Sequence, residues 1–194
     1  MNIFIPTIIS RLFEPVVILG LLSIAGIVSQ TNLPLTDAIG ISMFFVFGIF
    51  LPPFLVLLYA VKKKWVKDID VSDRRQRVWV LLSLVIFLLV DFFVERMLHV
   101  AFIDRLFEFF IVWFAGFFCI TTLGWKISGH IGIGTIAILM LIHWFGPTMS
   151  LWFLVLPLIA WARLVLKKHT LSQIIGGFFY SFGVYFLVIR SGLL

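Results

Sequence analysis

The chain has 194 residues, of which 62% are hydrophobic and only 12% charged, with a formal net charge of +6 and a mean hydropathy of +1.19. Soluble domains carry about a quarter charged residues, so a water-soluble fold is excluded, and solid rather than alternating apolar runs exclude a closed β-barrel. One cysteine, Cys119, excludes an internal disulfide and a cysteine-rich metal site, and the basic balance is not read as nucleic-acid binding because the position of the cations counts for more than their sum.

In chain order, the opening MNIFIPTIISRLFEP lacks a basic n-region and a small-residue cleavage site. It reads as a short interfacial segment and not as a removable signal peptide. Seven apolar segments follow, at about 15–31, 39–61, 78–100, 105–124, 131–146, 148–166 and 172–191. A hydrocarbon core about 30 Å thick takes roughly 20 residues of helix to cross. The connection TNLPLTDAIG has turn residues, and Thr36 or Asp37 is the expected cap of the second helix. The fifth segment is short for a full span, which allows a tilt, a kink at Pro147 or a re-entrant course. No polar linker, repeat or low-complexity tract divides the chain. The expectation is one all-α domain, 1–194, a polytopic membrane protein with six or seven transmembrane helices.

Counting crossings puts 62–77, 125–130 and 163–171 on one membrane face. That face holds twelve of the fifteen basic residues, leaving Arg96, Arg105 and Arg190 for the other. With Lys67, Arg74, Arg77 and Arg163 set aside as possible chemistry, the bias is still eight to three. The positive-inside tendency then makes this face cytoplasmic and the C-terminus external. Trp65, Trp79, Trp125 and Trp161 fit an aromatic belt at one interface, and Trp144 and Trp152 at the other.

The same three stretches carry the chemistry. ISGH sets Ser128, Gly129 and His130 at the start of an apolar helix, where backbone N–H groups favour an anion and glycine lets it come close. RLVLKKHTLSQ sets Arg163 near the end of one helix and His169 just after it. KDIDVSDRRQR supplies Lys67, Arg74, Arg75 and Arg77. Guanidinium forks and ammonium groups suit phosphate oxygens. Two histidines permit a division of labour, one attacking phosphorus and one protonating the departing oxygen.

These residues resemble the type 2 phosphatidic acid phosphatase superfamily, whose signatures are K-x6-R-P, P-S-G-H and S-R-x5-H-x3-D in that order. Ser128, Gly129 and His130 match the second, with Ile127 for proline. Arg163 and His169 match the third at the right spacing, with Ala162 for serine and Gln173 for aspartate, as in the dolichyl diphosphatase-like branch. Lys67 and Arg74 have the spacing of the first but no proline follows, and Arg77 is the alternative arginine. The resemblance covers about 62–180. It implies a nucleophilic His169 that forms a phosphohistidine, and His130 as general acid. It implies phosphoryl-oxygen contacts from Arg163, from Lys67, from Arg74 or Arg77, and from the Ser128–Gly129 segment. It implies no metal and no cofactor. Gln173 would orient His169 without supplying an aspartate's charge. The implied substrate is a membrane lipid phosphate or polyprenyl diphosphate held in the bilayer; oligomeric state is not implied.

Taken singly, each element has an ordinary reading. SGH is a common helix-start turn, cations at span ends snorkel and set topology, and the basic loop can rest on anionic headgroups. A second polar set, Asp91, Glu95, Arg96 and His99, lies late in the third segment. Its ordinary reading is pairing with Arg96, Arg105 or His143, and its functional one a proton path. The alternatives to an enzyme are therefore a silent lipid-phosphate-binding protein and a small proton-coupled transporter using Asp91 and Glu95.

Overall fold

In hydrocarbon no water is available to backbone N–H and C=O groups, so a spanning chain must satisfy them within helices. A computed structural model of the chain describes residues 3–98 and 100–192, without the side chains of Val94, Glu95 and Leu98. Of the described residues 82% are helical and none is in a strand. Among the described residues five helical segments are long and apolar enough to cross a membrane: Phe4–Gln30, Leu35–Lys62, Arg74–Phe93, Pro147–Val165 and Leu171–Arg190. The chain is an all-α, multi-pass membrane protein.

The helices are α1 (Phe4–Leu12), α2 (Pro15–Gln30), α3 (Leu35–Phe44), α4 (Leu51–Lys62), α5 (Arg74–Glu95), α6 (Ala101–Thr122), α7 (Gly129–Phe145), α8 (Val155–Val165) and α9 (Leu171–Arg190). The chain forms two compact units, one of residues 1–22 with 127–187 and one of 23–126 with 188–194.

In the first unit α1 packs on α8, and α7 packs on α8 and on the 3-10 stretch Pro147–Leu154 that precedes it. The short fifth apolar segment is α7, buried from His130 through Met140. It ends at Gly146, whose φ of +91° favours glycine. Ile131, Ile138, Leu156, Ile159 and Ile174 form the core between α7, α8 and α9. α1 is turned inside out relative to a soluble helix: Phe4, Ile5, Ile8 and Leu12 are exposed, and Pro6 and Ser10 are buried. Small residues inward and large apolar ones outward is the pattern a lipid solvent favours.

In the second unit α6 is the buried helix. Its Phe107, Phe110, Trp113 and Phe117 point inward, α5 runs along it, and Phe45 meets Phe107 edge to face at 5.3 Å. Between α3 and α4 the chain widens into a π-helical stretch, Phe45–Phe50, just before Pro52 and Pro53. Two prolines in succession lack the N–H groups that an α-helical ladder needs there. α3 begins after Pro34, with no side-chain cap. Thr36 and Asp37 thus lie inside its first turn and not at its cap; Asp37 complements the N-terminal dipole from there. Just after α5, Arg96 pairs with Glu108 of α6 at 3.3 Å. Asp91 is five residues before Arg96, a spacing that does not bring side chains together on a helix. His99 and the Glu95 side chain lie outside the described residues.

Candidate functional site

Six of the residues singled out by the sequence, Ser128, Gly129, His130, Arg163, His169 and Gln173, belong to the first unit. Ser128 precedes α7 in an extended conformation and does not cap it through its side chain. Its hydroxyl is wholly buried and has no hydrogen-bond partner among the described residues. A buried polar atom left in that state calls for an explanation, and a ligand oxygen supplies one. The Ser128 N–H donates to the Gln173 carbonyl at 2.9 Å, which joins the ISGH segment to the first turn of α9. Gly177 makes that approach possible, since a Cβ there would stand 2.6 Å from the Ser128 carbonyl oxygen.

The segment after α8 reverses through Lys167, whose φ is +53°, with Lys168 N–H donating to the Arg163 carbonyl at 3.0 Å. The turn delivers His169 to the start of α9, where it is 7% exposed. There Thr170 and Gln173 form a reciprocal cap. The Gln173 N–H reaches Thr170 Oγ1 at 3.4 Å, and Gln173 Oε1 accepts the Thr170 N–H at 3.2 Å. This is the T-x-x-Q form of the capping box. The same Oε1 stands 3.1 Å from His169 Nδ1. An oxygen already accepting one N–H faces the imidazole as an acceptor, which assigns the proton to Nδ1 and the lone pair to Nε2. Gln173 therefore both starts α9 and selects the tautomer of His169.

Arg163 lies in the last turn of α8 and is 1% exposed. Its Nη1 donates to Ser10 Oγ at 2.6 Å. His130 is buried at the start of α7, and its Nε2 faces Glu14 Oε2 at 3.7 Å, an ion-pair distance too long for a hydrogen bond. Glu14 also takes Arg11 Nη1 at 2.9 Å.

Ser10 and Glu14 are the site residues the sequence reading passed over. Pro15 cannot donate to Arg11 and disfavours helix at the residue before it. α1 therefore stops at Leu12 and α2 starts at Pro15. Glu14 stands in the break, with its carbonyl accepting the Val17 N–H at 2.9 Å. The available signal was a carboxylate inside an apolar stretch, which is unremarkable if 1–14 is only an interfacial segment.

Lys67, Arg74 and Arg77 belong to the second unit. Lys67 and Arg74 are exposed, and Arg74 Nη1 is 3.2 Å from where a Cβ on Gly124 would stand. Arg77 is buried and donates from Nε to the Val71 carbonyl at 3.3 Å and from Nη2 to the Asp70 carbonyl at 3.0 Å. It thereby braces the loop before α5. Lys126 Nζ donates to the Ser72 carbonyl at 2.9 Å in the same unit.

The first unit holds two buried imidazoles, a buried guanidinium and, at the start of α7, a serine hydroxyl without a partner among the described residues. Such a set suits an oxyanion, with one imidazole held for nucleophilic attack. No family model, no curated protein and no solved structure matches the chain.

Proposed function

We propose that the protein is an integral membrane phosphatase that hydrolyses a lipid phosphate or polyprenyl diphosphate through a phosphohistidine. The observation that carries this reading is the 3.1 Å contact of His169 Nδ1 with Gln173 Oε1. A buried imidazole whose Nδ1 is engaged by Gln173 Oε1 presents its Nε2 lone pair as a nucleophile. The burial of Arg163 and the Ser128 hydroxyl, which has no partner among the described residues, are in keeping with phosphoryl-oxygen contacts from both.

In the proposed reaction His169 Nε2 attacks phosphorus as the bond to the leaving oxygen breaks, and protonated His130 gives that oxygen its proton. Water then attacks the phosphohistidine while neutral His130 takes a proton from it. Phosphate leaves and His169 returns to its starting form. A lipid substrate is favoured because the reactive segments begin or end apolar helices, so a tail can stay in the bilayer while its headgroup meets the cations. The basic bias of the stretches 62–77, 125–130 and 163–171 supports a cytoplasmic site.

The test is inorganic phosphate release by purified protein in detergent with a chelator present. Substrates are phosphatidic acid, phosphatidylglycerol phosphate and polyprenyl diphosphates, each run beside His169→Ala. Release by the parent and at least a ~1,000-fold loss in the variant are expected, in line with removal of a covalent nucleophile. Full turnover by His169→Ala overturns the mechanism. Binding of the lipid without release by the parent identifies a silent binding protein instead.

A further inference from the structure

We propose that Glu14 is a positioning residue for His130, holding its imidazole in place and in the charged form that can release a proton to the leaving group. This inference rests on the phosphatase reading above.

Three observations lead to it. First, Glu14 is the sole carboxylate in residues 1–22 and 127–187, a unit that also contains Arg11, Arg163, Lys167, Lys168 and three histidines. Second, that carboxylate points at His130 Nε2 across 3.7 Å, and the two side chains are only 13% and 7% exposed. A charge pair so shielded from water interacts far more strongly than one on the surface. Third, the position four residues after His169, where a carboxylate would support the nucleophile, holds the neutral Gln173. The site's negative charge therefore lies beside the second histidine, on a segment far away in sequence.

The chemistry of the two histidines accounts for that placement. A nucleophile needs its attacking nitrogen unprotonated, which a neutral acceptor on Nδ1 favours, although it stabilises the cation formed on attack less than a carboxylate would. A general acid needs to be protonated before the step and correctly aimed, and an ionised carboxylate favours both. During bond cleavage the proton passes from His130 to the departing oxygen. In the second step His130 takes a proton from the attacking water, and Glu14 stabilises the imidazolium that forms. Glu14 itself keeps its charge throughout. Ser10 stands one helical turn before it and engages Arg163, so one short segment reaches both buried cationic side chains.

The experiment compares two leaving groups in the full-length protein. With a lipid phosphate the departing alkoxide needs a proton, whereas with an activated aryl phosphate it needs little. Read in a single turnover, which isolates phosphohistidine formation from the hydrolysis step that both substrates share, Glu14→Gln is expected to slow the lipid phosphate at least ~10-fold and to stay within about 2-fold of the parent on the aryl phosphate. Glu14→Asp should recover part of the loss. Arg11→Ala, which removes the exposed partner of Glu14, should match the parent on both substrates. Equal slowing of both substrates by Glu14→Gln would mean a structural role, and a lower KM with unchanged kcat would mean that the carboxylate occupies the phosphate's place; either overturns the proposal. If the parent and His169→Ala behave as expected but Glu14→Gln matches the parent, this inference alone fails. If the parent releases no phosphate, the phosphatase reading fails and takes this one with it.

Discussion

Gln173 shows how much one side chain can settle at the scale of a residue. Its amide oxygen takes the Thr170 N–H and faces His169 Nδ1, while its own N–H is held by Thr170 Oγ1. A leucine of similar size offers no acceptor, leaving Thr170 N–H and His169 Nδ1–H without this partner and the imidazole free to turn. For the buried His169 the unsatisfied donor costs about 1–3 kcal/mol, which corresponds to a roughly 5- to 150-fold fall in kcat if the loss is felt in the transition state. Gln173→Leu should show that fall, together with a lower Tm from the lost cap. Gln173→Glu keeps the length and both acceptor contacts and adds a charge beside His169, so its phosphate release should stay near that of the parent. Steady-state kinetics and thermal melts of the two variants check both expectations.

At the scale of elements, the decisive contact is between the start of α7 and the first turns of α9. The close approach of Ser128 to Gly177 is backbone against a missing side chain, with 2.6 Å left for a Cβ. Gly177→Ala must push the ISGH segment away from α9, disturbing the Ser128–Gln173 bond on which its position depends. A loss of about 1–3 kcal/mol in stability is expected from overpacking, with a fall in activity larger than stability alone explains. Gly134 on α7 provides the control. A Cβ there would meet Leu156 Cδ2 at 3.0 Å, the flexible end of a side chain. Gly134→Ala should therefore cost less in both Tm and turnover. Equal effects of the two substitutions would remove the special status of the α7–α9 joint.

At the scale of the whole molecule, the question is which way the chain faces. The basic stretches argue for a cytoplasmic 62–77 and an external C-terminus. Arg75 and Arg190 are both exposed and lie on opposite faces in that topology. With Cys119 replaced by serine, the chain has no other cysteine. A membrane-impermeant maleimide applied to intact cells should label Arg190→Cys and leave Arg75→Cys unlabelled until the membrane is opened. The reverse pattern would put the site on the external side without altering its chemistry.

Hydropathy runs by themselves determined an all-α, multi-pass membrane protein. The seven apolar segments of the sequence correspond to α2, the α3–α4 pair, α5, α6, α7, the 3-10 stretch with α8, and α9. Runs of this kind are legible because each residue's cost in hydrocarbon is local and adds along the chain. Spacing likewise singled out Ser128, His130, Arg163 and His169, whereas the T-x-x-Q capping box within HTLSQ emerged only from the contacts between Thr170 and Gln173. What only the tertiary structure decided is which partners those groups have. Ser10 reaches Arg163 across 153 positions of sequence and Glu14 faces His130 across more than a hundred. A buried polar contact of this kind is a property of packing, because it forms only where folding removes water from both groups. No local pattern in the α1–α2 break announces the helix that will come to lie beside it.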